Sequence, residues 1–358
     1  MSFHKHGSPF ALLLGASALA SIAGSPLAAA ESEFNEPGNY LIADQFNNRV
    51  IEVARDGRIV WQFGRGPTDF SAASIIGVND AQRVGSLTLM AGTGTPGGQP
   101  EAPSCTNSNG CPDNRVLLVN RHGRIVWQYG QFGIAGSDPG LLNTPVQNTW
   151  LPNGDILITD QANERIIEVN RAKQIVWQYG MTGVVGNGPE QLNNPNCAEL
   201  LESGHILICD ENNNRAIEVT HNSPSTIFAT FTAHGTVSGV AFASRLSNGN
   251  TLITDSNNAR IVEVDSTDTP VWQYFTNARP SSNASPLPTR AVRLANGNTL
   301  ISDQFNDQVI EITTTTSPTI VASYGTINTP GYSPSNANVI NAPYSAYVIG
   351  DYTGLTVP

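Results

Sequence analysis

One phrase recurs along this chain. It reads GNYLIADQFNNRVIEVARDGRIVWQFG from Gly38, GDILITDQANERIIEVNRAKQIVWQYG from Gly154 and GHILICDENNNRAIEV from Gly204. It returns as GNTLITDSNNARIVEV from Gly249 and GNTLISDQFNDQVIEI from Gly297. A sixth, degenerate copy ends in NRVLLVNRHGRIVWQYG from Asn114. Successive copies are spaced by roughly 45 to 58 residues, the interval of propeller blades.

Each copy decomposes into four short strands. Around residues 143–180 the expected strands are Val146 to Leu151, Ile156 to Thr159, Arg165 to Val169 and Ile175 to Tyr179. A turn at Pro152-Asn153-Gly154 joins the first two, and a polar loop from Asp160 to Glu164 joins the next two. Short runs of Ile, Val, Thr, Trp and Tyr between Gly, Asn and Pro are hairpin patterns. A four-stranded blade cannot bury both faces alone, whereas a ring of blades can. The predicted fold is therefore all-β, a six-bladed β-propeller. The first copy lacks a first strand before Gly38. Asn341-Ala342-Pro343-Tyr344 to Ile349 matches the blade openings at Asn143-Thr144-Pro145-Val146 and Asn194-Pro195-Asn196-Cys197. Pairing of the N- and C-terminal strands is thus expected to close the ring.

Residues 1–30 read as a signal peptide. Lys5 gives a basic start, an apolar run extends from Phe10 to about Ala23, and Ala28-Ala29-Ala30 supplies small residues for cleavage. Residues 31–358 are then one propeller domain outside the cytoplasm, periplasmic or secreted, with no integral membrane span, and are expected to be monomeric. Four cysteines in an exported chain suggest two disulfides, Cys105–Cys111 and Cys197–Cys209. The net charge of −11 argues against nucleic acid, whose phosphates need clustered Lys and Arg.

The copies resemble NHL-repeat propellers. The shared pattern is a strand ending in Asp, an Asn three residues on and an Arg five residues on. Here it reads Asp44-Asn47-Arg49, Asp160-Asn163-Arg165, Asp210-Asn213-Arg215 and Asp255-Asn258-Arg260. The fifth copy keeps Asp303 and Asn306 but has Gln308 in place of Arg. The resemblance implies the fold and says little about activity. The Trp-Gln-Tyr ending is also similar to arylsulfotransferase-type propellers, which would require a central catalytic His. No His sits at a matching strand position.

A motif present once per blade points to structure. Asp and Asn cap tight turns, and Arg can fork onto a carboxylate or onto carbonyls of the neighbouring blade. The recurrent Glu52, Glu168, Glu218, Glu263 and Glu311, and the tryptophans Trp61, Trp127, Trp177 and Trp272, read as blade-to-blade contacts. Function belongs where the copies differ. Blade two has Ala91 where the others have Asp, and its loop is replaced by Gly92 to Asp113, which carries Cys105 and Cys111. Strand order puts this insertion on the same rim as Gly130 to Leu142, Gly180 to Leu192 and Thr276 to Leu287.

No nucleophile-elbow, Walker or zincin motif is present. His122, His205 and His221 fall in turns on the opposite rim, and His234 precedes blade five. The reading that follows is a binding or scaffold module that holds a protein, peptide or glycan on the loop rim, without a cofactor. The alternative is a propeller enzyme (a lyase, lactonase or transferase) with an axial metal or ligand site. Asn143, Gln147, Asn193, Asn196 and Asn341, with His234, are the candidate ligand-binding residues for either. The first five are amides lacking an evident carboxylate partner, a weak set for an axial Ca²⁺.

Overall fold

The computed structural model describes residues 33–358; the expected signal peptide at 1–30 lies outside them. They form six four-stranded antiparallel sheets. Blade one is β1 (Tyr40–Asp44), β2 (Arg49–Val53) and β3 (Ile59–Phe63), completed by β24 (Pro343–Val348). Blade two is β4 (Val78–Val84), β5 (Leu87–Thr95), β6 (Cys111–Asn120) and β7 (Ile125–Gly130). Blade three is β8 (Pro145–Trp150), β9 (Ile156–Asp160), β10 (Arg165–Val169) and β11 (Ile175–Tyr179). Blade four is β12 (Pro195–Leu200), β13 (Ile206–Asp210), β14 (Arg215–Val219) and β15 (Ile227–Phe231). Blade five is β16 (Val240–Arg245), β17 (Thr251–Asp255), β18 (Arg260–Val264) and β19 (Pro270–Phe275). Blade six is β20 (Pro288–Arg293), β21 (Thr299–Asp303), β22 (Gln308–Ile312) and β23 (Ile320–Tyr324). No helix among the described residues is long and apolar enough to cross a membrane.

The ring closes as the sequence implies. β24 pairs with β1, Tyr40 opposite Val348 and Asp44 opposite Pro343. The apolar core lies between blades. Leu41, Val50, Trp61 and Phe63 of blade one pack with Val78, Met90 and Leu117 of blade two, for example. Each Trp caps such a seam: the indole N–H of Trp61, Trp127, Trp177 and Trp272 donates to a carbonyl in the outer turn of the next blade. The recurrent glutamates also reach the next blade. Glu52 pairs with Arg83, Glu218 with Arg245 and Glu263 with Arg293, while Glu311 accepts from Tyr40.

Several element boundaries differ from expectation. β8 runs from Pro145 to Trp150, one residue earlier than expected. β9 includes Asp160, because Asp160 still pairs with Arg165. Gln161–Asn163, expected as an irregular loop, is a turn of 3-10 helix, and four other blades have its equivalent. The largest difference is in blade two. Its ladder continues past Met90 and Ala91, with Gly94 opposite Pro112 and Thr95 opposite Cys111. The insertion is therefore a β-ribbon with a loop at 96–110. Both disulfides are formed. Cys197 and Cys209 face each other across β12 and β13.

Candidate functional site

The repeated motif builds the rim on which a site can sit. Asp160 takes the Nε–H of Arg165 at 2.8 Å and the Nδ2–H of Asn163 at 2.7 Å on one oxygen, and the backbone N–H of Asn143 at 2.7 Å on the other. Asn163 and Arg165 also donate to the carbonyls of Gly136 and Ser137. The motif thus staples the loop that enters a blade onto that same blade. It makes no side-chain cap on the 3-10 turn. The expected bond of the Arg to a carboxylate is present, on Asp160, whereas the expected capping role and the alternative reach to the neighbouring blade are replaced by this staple. Asp44, Asp210 and Asp255 hold the backbone N–H groups of Asn341, Asn193 and Ser238 in the same way.

Two blades build the staple differently. In blade two, where Ala91 occupies the aspartate position, Asp113 of β6 supplies the carboxylate. It binds Arg115 and takes the N–H of Ile76 at 2.8 Å. A Cβ on Gly92 would lie 2.5 Å from Asp113 Oδ2, so only glycine leaves room. In blade six, Arg279 from the incoming loop replaces the missing arginine and bonds both Asp303 and Gln308. Burial raises Asp303 to about 6 against the pull of Arg279.

A second device links consecutive blades. The residue after the motif's 3-10 turn is left-handed, with φ 49° at Asn48, 58° at Glu164, 54° at Asn214, 51° at Ala259 and 53° at Asp307. Except for Ala259, which has no acceptor, these side chains accept a backbone N–H just before the next blade: Gly77, Asn194, Gly239 and Ala342. Asn114 of blade two does the same for Thr144. Asn favours this conformation and carries the needed acceptor.

The first strands of all blades surround a narrow cleft at the axis with a free volume of about 10 Å³, roughly the room that one water needs and far below typical ligand pockets. Gln147, Asn196 and Tyr344 line it, with Asp80 and Arg290. Asp80 and Arg290 are bonded, and Asp80 Oδ2 also takes both N–H groups of Asn148 at 3.1 Å. Gln147 donates to Glu199 at 2.7 Å, and Asn196 donates to Glu211 at 2.8 Å and to the Tyr344 hydroxyl at 3.0 Å. The axial amides thus have carboxylate partners that sequence reasoning missed. Asp80 and Glu199 sit in stretches with no repeated signature, and Glu211 stands inside the repeated motif where the other copies have Gln or Ser. Burial raises the carboxyls of Glu199 and Glu211. Among the described residues, no group of three or more His, Cys, Asp or Glu side chains could hold a metal ion. The lower mouth is covered by the C-terminal segment, where Thr356 donates to Glu199 through its N–H at 2.9 Å and its hydroxyl at 2.6 Å.

The remaining candidates lie elsewhere. The backbone N–H groups of Asn143, Asn193 and Asn341 serve the staples. The Asn341 side chain donates at 2.7 Å to the carbonyl of Glu101, in the disulfide loop. His234 is exposed and bonds Thr269, in the β18–β19 turn, at 3.1 Å; it belongs to the outer flank and not to the axis. His205 and His221 bond Glu218 and Glu168.

No family model matches this chain, and no curated protein matches it. Solved propellers resemble it in backbone. A protein of unknown function from Bacteroides caccae has a TM-score of 0.53 at 14% identity, over 80% of this chain and 94% of that one. A catalytically inactive virginiamycin B lyase from Staphylococcus aureus, solved with quinupristin, has a TM-score of 0.51 at 14% identity, over 80% of this chain and 85% of that one. A provisionally assigned 6-phosphogluconolactonase from Bacteroides uniformis has a TM-score of 0.51 at 7% identity, over 87% of this chain and 99% of that one. At these identities the likeness is one of fold.

Proposed function

We propose that this protein is an extracytoplasmic binding module that holds a peptide, protein or glycan on its loop rim, and that its repeats are NHL-like. The observation that carries this reading is the ribbon of blade two. It projects past the blade, carries its own disulfide, and docks Ala102 against Phe46 and Ala342 beside the axis. Its outer turn, Thr106 to Asn109, is exposed and polar without charge, which suits hydrogen bonding to sugar hydroxyls or to a peptide backbone. Exposed Ile134, Met181 and Val185 on the adjoining loops add apolar surface. Within the axial cleft Asp80 and Arg290 are matched to each other, which favours a role in rigidity for that pair.

Glycan and peptide arrays test the reading. The intact protein should bind a restricted set, and a variant with residues 97–109 replaced by Asn-Gly should lose that binding at unchanged fold. Equal binding by both proteins would remove the rim from the mechanism. The enzymatic alternative rests on Glu211, whose carboxyl is raised by burial and bonded to Asn194 and to Asn196, which lines the axial cleft, since a perturbed carboxyl beside a cleft is a candidate acid. Turnover of lactones or cyclic esters that disappears in Glu211→Gln would favour it.

A further inference from the structure

Two blades carry a carboxyl at this position, Glu164 in blade three and Asp307 in blade six, where Asn48, Asn114 and Asn214 are neutral. Asp307 is the more deeply buried of the two, 2% exposed against 9%. One oxygen takes the N–H of Ala342 at 3.0 Å. The groups facing it are acidic: Glu101 from the disulfide loop, Asp44 from blade one and Asp303 from its own blade. Asp44 is paired with Arg49 and Asp303 with Arg279. Among the described residues, neither Glu101 nor Asp307 has a cationic partner.

The disulfide loop rests directly on this cluster. Asn341 holds the carbonyl of Glu101, and Ala342, the next residue, is bound to Asp307. Ala102 packs on Ala342 and Phe46. One hydrogen bond and one small apolar contact therefore oppose the repulsion between two carboxylates. We propose that Asp307 and Glu101 form a pH-sensitive latch: with Asp307 protonated the loop at 96–110 stays down on the rim, and with Asp307 ionised it lifts. Any effect of the latch on ligand capture rests on the binding role argued above; the latch itself does not.

The direction follows from linkage. Burial raises the latched Asp307 to about 7, with Glu101, Asp44 and Asp303 adding to the shift. An unlatched, hydrated Asp titrates near 4, so the latched state binds the proton more tightly. Closure is strongest at low pH, weakens as pH rises through about 4 to 7, and is flat above that.

The two disulfides make the test internal. Reduction by tris(2-carboxyethyl)phosphine is followed by mass spectrometry from pH 5 to pH 8. Cys105–Cys111 reports on the loop, and Cys197–Cys209, buried between strands, is the reference. The Cys105–Cys111 rate relative to the reference should rise by up to roughly 80-fold in the intact protein. In Asp307→Asn the rise should vanish, leaving the slow rate of pH 5. A wild-type rise in Asp307→Asn would overturn the proposal. Should that variant fail to fold, Glu101→Gln decides, since its side chain lies on the loop. With the repulsion removed, the latched Asp307 binds its proton less tightly, so the rise should be smaller and should level off at lower pH. A profile identical to wild type overturns the latch. No ligand enters the assay, so its result is separate from that of the arrays.

Discussion

Blades two and six each lack one half of the carboxylate–guanidinium pair that blades one, three, four and five draw from a single run of sequence. Blade two lost the acid and recovers it from Asp113, two residues before Arg115 on the same strand. Blade six lost the base and recovers it from Arg279, on the incoming loop. The two repairs have different surroundings. Asp113 lies within the ribbon ladder and is fully buried, whereas Arg279 is on a connecting loop and retains some exposure. The staple is therefore required as a geometry and not as a sequence position. A blade can take either partner from wherever the backbone brings it within reach.

The sharpest break would come from Asp113→Ala. It leaves Arg115 buried without its carboxylate and the Ile76 amide without an acceptor. Removing one partner of a buried pair costs about 3–5 kcal/mol. Urea unfolding should show this as a lower midpoint at unchanged slope. A midpoint equal to that of wild type would separate Asp113 from the other blade aspartates.

Arg279→Ala should cost less, about 1–3 kcal/mol, because Asp303 can respond by taking a proton. Its folded value of about 6 already lies above that of an ordinary Asp. Ionisation therefore weighs against the fold as pH rises, and without Arg279 it weighs more. The defect should be small at pH 5 and full at pH 8 in thermal melts. Adding Gln308→Arg restores the guanidinium from the position used by other blades and should recover most of the loss. No recovery would show that the two positions are not interchangeable.

Gly92→Ala drives a methyl group into the Asp113 carboxylate and should cost about 1 kcal/mol or more. The cost should shrink in an Asp113→Ala background, which a double-mutant cycle measures. The smallest effect is expected from replacing residues 97–109 by Asn-Gly. Ala102 and Cys105 are among the few buried side chains there, and a shorter loop offsets some of what is lost. Melting should change by less than about 1 kcal/mol-equivalent, which is the contrast with Asp113 only a few residues away.

The ring, its closure and the cysteine pairs were legible because each depends on a pattern that repeats or on a short sequence separation. The Asp44-Asn47-Arg49 type of motif was legible as structural, though its target was not: the incoming loop carries no signature of its own. Asp113 and Arg279 were invisible for a related reason, since each stands out of register with the motif it completes. The axial network of Asp80, Arg290 and Glu199 joins side chains from three blades, and nothing local in any of those strands announces the others. The disulfide loop was legible as an insertion, but its docking onto Ala342 depends on a segment some 240 residues away.

β1 and β24 run antiparallel, with Tyr40 beside Val348 at the end away from the loop rim. A dye, an affinity handle or a solid support joined near either end therefore leaves the rim uncovered, and a sensor surface prepared in that way presents the disulfide loop to solution. Tension applied between the two ends in an optical trap would part this strand pair one hydrogen bond after another, as a zip fastener opens, instead of loading all its bonds together.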